Sequence, residues 1–115
     1  MRKGVINKKE VINSYLMAAL WTAELDEKTI YNVTLSSQKQ AEKDINLFIK
    51  KAGSLLDGIV SEQIGHDFWL SRNHHGAGFF DRNLGEVGDK LQAISGEFKE
   101  LNVFEIYDGT EVVIE

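Results

Sequence analysis

Apolar residues recur at spacings of three and four in three separate stretches of this chain, and that period restricts the fold more than any other feature. The spacing gathers side chains on one face of a helix, and such a face must be buried against something else. Val11, Ile12, Tyr15, Leu16, Ala19 and Leu20 predict a helix from about Lys8 to Ala23. Asn7 is its expected cap, and Glu10 three residues on suits the positive helix start. Ala41, Ile45, Phe48, Ile49 and Ala52 form a second stripe, capped by Thr34 or Ser36. It ends at Gly53 or runs on through Leu55 and Leu56 to Asp57-Gly58, where glycine can take the left-handed conformation that closes a helix. Leu84, Val87, Leu91, Ile94 and Phe98 predict a third helix, in which Gly85 and Gly88 imply a frayed start or close packing against another backbone.

Between the second and third stripes the period changes. From Gly65, Phe68, Leu70 and Arg72 alternate with Trp69 and Ser71, Asn73-His74-His75-Gly76 interrupts, and Gly78-Phe79-Phe80-Asp81 resumes. This predicts a hairpin turning near His74 to Gly76, with a short helix over Ile64 to Leu70 as the competing reading. The chain closes with Val103 to Tyr107, Asp108-Gly109 and Glu111 to Ile114, and Asp-Gly between two apolar runs is a strong hairpin signal. The expected architecture is α+β, one domain over residues 1–115, with about three helices packed on a small antiparallel sheet made of two hairpins.

Composition excludes several functions. With no cysteine there is no disulfide framework, no Cys-based zinc site and no thiol nucleophile. No apolar run approaches the roughly 18 residues of a membrane-spanning helix, and polar residues follow Met1-Arg2-Lys3, so a soluble cytoplasmic protein is expected. A formal net charge of -5 argues against direct nucleic-acid binding, which draws on clustered Lys and Arg.

Chemistry, if there is any, lies between Gly65 and Arg82. All three histidines fall there, with Asp67, Asp81, Arg72 and Arg82. His66, Asp67, His74, His75 and Asp81 supply ligand atoms, but their spacing matches no metal motif, and neither a metal nor another cofactor is expected. An acid–base site would use His66 or His75 as proton carrier, oriented by Asp67 or Asp81. Ser71 lacks the Gly-x-Ser-x-Gly elbow of a serine nucleophile. Arg72 and Arg82 suit a structural role, pairing with Asp67, Asp81 or Glu86 or bonding backbone carbonyls. Aromatics such as Trp69 are more often core than ligand box, although an outward Trp69 or Phe80 beside Arg72 would make a protein-contact centre. The candidate binding residues are therefore His66, Asp67, Trp69, Arg72, Asn73, His75, Asp81 and Arg82, with Arg72 and Asp67 expected to be structural and His75 and Trp69 at the functional edge.

The run from Gly65 to Leu91 resembles the signature of a family of short, uncharacterised phage and prophage proteins, Gly-His-Asp-Phe-Trp-Leu-Thr-Arg-Asn-Gly-His-Gly-Ala-Gly-Phe-Trp-Asp-Arg followed by a glycine-containing helix. Tyr15-Leu16 and Ala18 to Trp21, and the strand pair around Asp108-Gly109, resemble it more loosely. Ser71, His74 and Phe80 depart from the pattern, and His74 replaces the glycine of an Asn-Gly turn, so His66 and His75 are the matching histidines. The resemblance implies origin and no chemistry. The function expected is a non-enzymatic phage accessory protein in the host cytoplasm that binds a host or phage protein, with counter-defence as one form and self-association open. The alternative is a small metal-dependent or acid–base hydrolase using His66, Asp67, His75 and Asp81.

Overall fold

The computed structural model describes residues 5–25, 27–75 and 77–115, and of Asp81 the backbone alone; Met1 to Lys3 and Gly76 of the expected turn lie outside it. Helix α1 spans Lys8–Thr22, α2 Leu35–Ala52, α3 Ser61–Arg72 and α4 Glu86–Ser95, followed by strands β1, Val103–Ile106, and β2, Glu111–Ile114. Single 3-10 turns lie at Ile30–Asn32, Gly53–Leu56 and Phe79–Asp81. The class is α+β, with four helices and a two-stranded antiparallel sheet among the described residues.

Local chemistry explains the first two helices. Asn7 Oδ1 accepts from the Glu10 amide at 3.2 Å, and Thr34, not Ser36, caps α2 by accepting from the Ser37 amide. Gly53, with φ of 51°, ends α2, and the continuation to Leu56 is a 3-10 turn.

The expected first hairpin is not formed: its first-strand residues lie in α3, as in the competing helix reading over Ile64 to Leu70, and Phe79–Asp81 of the second form a 3-10 turn. Ile64, Gly65, Asp67, Phe68, Trp69, Leu70, Ser71 and Arg72 are all buried, so this helix is enclosed on nearly every side. A helix buried all round carries no one-sided apolar stripe, and its partnered polar residues then mimic the alternation of a strand. The Asn73-His74-His75 run closes the helix instead of a hairpin. His74 takes a positive φ of 56°, its amide donates to the Ser71 carbonyl at 3.4 Å, and the His75 amide donates to the Leu70 carbonyl at 3.1 Å. These two bonds are the Schellman pattern, in which the residue past the cap is usually glycine.

Helices α1 and α3 lie side by side and run in the same direction. The Asn7 amide donates to Ser61 Oγ near their starts, and Trp69 Nε1 donates to Thr22 Oγ1 at 2.8 Å near their ends. Between these, a Cβ on Gly65 would collide with the Val11 carbonyl, Ser14 Oγ and the Tyr15 amide, so only glycine permits this approach. Phe68 stacks on Phe48 of α2 at 4.2 Å between ring centres, and Tyr15, Trp69 and Phe79 fill the space around them.

Helix α4 begins later than its stripe implied. Gly85 precedes it with φ of 60°, Leu84 lies before its first turn, and Val87 is exposed. Gly88 sits so near the Phe79 carbonyl that a Cβ would come within 2.8 Å of its oxygen, and Leu91 is fully buried. The second expected hairpin is present, pairing Val103 with Ile114 and Ile106 with Glu111. Tyr107, expected in the strand, stands in the turn with Asp108 and Gly109 at φ of 52°, 55° and 85°. Val33 extends the pair through one parallel bridge to Val112.

Candidate functional site

The predicted site residues separate into two polar networks. The first belongs to the core. Arg72 is 1% exposed; its Nη1 donates to Asp44 Oδ2 at 2.8 Å and to the Tyr15 hydroxyl at 3.1 Å. Nε and Nη2 both donate to the Lys99 carbonyl, at 3.0 and 2.7 Å, and the guanidinium lies against the Phe68 and Phe98 rings. Of its expected partners among the described residues Arg72 uses only a backbone carbonyl; Asp44, in a helix read as separate, takes the charge. Burial of Tyr15, partly offset by Arg72, pushes its phenol up to about 12.

Asn73 and Trp69 serve the same core. Asn73 Nδ2 donates to the Trp69 carbonyl at 2.9 Å, and its Oδ1 accepts from the Leu101 amide at 2.8 Å, fastening the end of α3 to the chain that enters β1. Trp69 is 1% exposed and bonded to Thr22, so the expectation of Trp69 at a functional edge is corrected. A side chain this enclosed reaches no partner without unpacking the α1–α3 interface.

The second network opens to the surface. Asp67 is wholly buried, and Arg82 spans its carboxylate, Nε to Oδ2 at 3.0 Å and Nη2 to Oδ1 at 2.9 Å. His66 Nδ1 lies 3.2 Å from the same Oδ1. A carboxylate only accepts, so Nδ1 is the donor in this contact. The His66 ring stacks on the Trp21 ring, centres 5.9 Å apart and planes at 29°.

Trp21, His66 and Arg82 line a cleft of about 360 Å³ together with His75, Leu70 and Ala77. Trp21, His66 and Arg82 also border a larger groove of about 800 Å³ running between α1 and α3 past Met17 and Val60. Of the predicted residues the cleft thus brings together His66, His75 and Arg82 above Asp67. Trp69, Arg72 and Asn73 do not join it, and the side chain of Asp81 lies outside the described structure. His74 stands apart, 3.6 Å from Glu100. Among the described residues no group of three or more His, Asp or Glu side chains is placed to hold a metal ion. Ser71 is fully buried, and its Oγ accepts from the Phe79 amide at 3.2 Å.

Sequence reasoning missed the most exposed part of the site. Met17, Trp21 and Val60 are 48%, 58% and 65% exposed. Met17 and Trp21 stand four residues apart, off the stripe of Val11, Tyr15 and Leu16, and an apolar pair on the wet face of a helix was the available signal.

Comparison with protein-family models, with curated proteins and with solved structures gave no match for this chain. No helix of the described residues is long and apolar enough to cross a membrane.

Proposed function

We propose that this chain is a non-enzymatic accessory protein of phage origin, working in the host cytoplasm, that binds a host or phage protein through the Trp21 face. The observation that carries this reading is the exposure of Met17, Trp21 and Val60 along one groove beside His66 and Arg82. Isolated exposed apolar residues need no explanation, but three along one groove, ending at an aromatic and an arginine, form the kind of surface that protein partners bury. The test is a photoreactive amino acid incorporated at Met17, with Lys50 on the exposed side of α2 as control, in host cells. One protein should be trapped at position 17 and not at position 50, and Trp21→Ala should abolish it. Equal trapping at both positions would sink the proposal.

One observation favours the hydrolase alternative, the His66–Asp67 contact beside a cleft. Against it, Arg82 already spans Asp67, and the hydroxyls nearest the cleft are engaged: Ser71 is buried, and Thr22 Oγ1 donates to the Ala18 carbonyl at 2.9 Å. Hydrolysis of simple esters or phosphoesters that His66→Gln removes and Trp21→Ala spares would favour this alternative.

A further inference from the structure

The two edges of the β1–β2 sheet differ. On the outer side of β2 the Val112 carbonyl accepts from the Thr34 amide and the Ile114 amide donates to Ser37 Oγ, both at 3.0 Å. On β1 the register shows which groups face outward. Asn102 and Glu115 exchange both of their backbone bonds, so Phe104 with Val113 and Ile106 with Glu111 are the next bonded pairs of the antiparallel ladder. The N–H and C=O groups of Val103 and Glu105 therefore point away from β2, and among the described residues no group bonds them. This open length is bounded at both ends. The Leu101 amide, next in line, donates to Asn73 Oδ1, and Tyr107 leaves the strand at a φ of 52°. Apart from water, what matches such a row of groups is another extended backbone.

We infer that this edge is covered by β1 of a second copy of the chain, paired antiparallel about a two-fold axis at Phe104. Self-pairing of these groups can be centred on Val103, Phe104 or Glu105. Centred on Val103, it calls on the Leu101 amide that Asn73 already holds. Centred on Glu105, it sets two carboxylates directly opposite each other and faces Val103 with Tyr107, which is out of the strand. Centred on Phe104, Val103 of each copy meets Glu105 of the other, and all four open groups on each strand are bonded. Phe104 then faces its own counterpart across a non-hydrogen-bonded pair, where side chains stand closest. Val112 and Ile114 turn inward and are buried, whereas Phe104, on the outer face of the sheet, is 41% exposed and gains an apolar neighbour in the dimer. Glu105 keeps Lys28 of its own chain, 3.6 Å away. Two two-stranded sheets, each marginal by itself, become one of four strands. None of these residues lines the groove beside Trp21, so the inference is independent of the function proposed above.

The chain has no cysteine, so a single introduced one reports the register. Phe104→Cys, oxidised with diamide at about 100 µM protein, should form a disulfide dimer, because the axis brings position 104 to about 4.5 to 5.5 Å from itself between Cβ atoms. Tyr107→Cys is the control: the position is more exposed, at 72%, yet stands about 20 Å from its counterpart along the paired strands. By sedimentation equilibrium the unchanged chain should pass from monomer to dimer at about 10 to 500 µM, the range suited to so short a ladder. Val103→Pro removes one open N–H and no bond to β2, and Phe104→Lys sets two like charges on the axis. Each should raise that midpoint at least about tenfold with far-ultraviolet circular dichroism unchanged, and Trp21→Ala should leave it where it is. A monomer at every concentration up to about 1 mM would overturn the inference, as would crosslinking at position 107 as fast as at 104, or a dimer that Trp21→Ala removes and Phe104→Lys spares. If Phe104→Cys stays monomeric alone and is crosslinked to a different protein in host lysate, the edge serves that protein and the second copy is ruled out.

Discussion

Tyr15 shows at the scale of one residue how burial and charge are balanced in this core. Its hydroxyl accepts from Arg72 Nη1 at 3.1 Å, and the same nitrogen donates to Asp44 at 2.8 Å, so the phenol shares one guanidinium with a carboxylate. Ionising the phenol would add a second negative charge in a site closed to water, and burial outweighs the attraction of Arg72. The folded value, about 12, therefore lies above the ordinary 10.0 of the unfolded chain. A group raised in this way stabilises the fold fully below the unfolded value, and that contribution is lost as pH rises through the folded one. Two units correspond to about 3 kcal/mol. Urea midpoints should thus fall between pH 10 and about 12 in the wild type, and fall less over the same interval in Tyr15→Phe. Identical losses in the two proteins would show that another group governs the alkaline limit.

Among the elements, the parallel pair α1 and α3 sets the shape of everything else. Helix α1 turns the Val11 and Tyr15 side of its stripe to α3, where Tyr15 packs on Phe68 and Trp69, and Gly65 makes the approach by having no side chain where Val11, Ser14 and Tyr15 lie. A methyl group there displaces backbone, not the end of a flexible side chain, and overpacking of that kind costs about 1 to 3 kcal/mol or more. Gly65→Ala should lower the stability by an amount of that order, because the collision with backbone outweighs the roughly 1 kcal/mol that alanine gains over glycine inside a helix. A more stable Gly65→Ala protein would mean the helices stand further apart than described here. The same pair positions the groove: Asn7 to Ser61 at one end and Thr22 to Trp69 at the other hold the two first turns level, which is what gathers Glu10 with Glu62.

On the scale of the whole molecule, the two tryptophans divide the labour. Trp69 is enclosed by Tyr15 and bonded to Thr22, whereas Trp21 stands half in solvent against His66. Trp69→Ala should cost about 3 to 5 kcal/mol and Trp21→Ala less than about 0.5 kcal/mol, so that thermal melts separate them before any binding is measured. Equal effects would mean that Trp21 belongs to the core. The chain as a whole carries a net charge of -5, and at the smaller cleft the charge of Arg82 is met by the buried carboxylate of Asp67. What the sequence determined alone were the elements whose signals are local: α1 with its Asn7 cap, the stripe of α2, and the Asp108-Gly109 hairpin, while the structure chose Thr34 over Ser36 and Gly53 as the bounds of α2. In each, the residues that decide the structure lie within a few positions of one another, so pattern and propensity suffice. Only the tertiary structure decided α3 and the site. Asp67 and Arg72 were expected to be structural, and Arg82 was an expected partner of Asp67, but Asp44, 28 positions from Arg72, was not foreseen, and with both partners brought to it a polar helix can be buried. Trp21 likewise joins His66 only because Gly65 lets two helices distant in sequence lie together, and a contact made across that distance leaves no period in the sequence to be read.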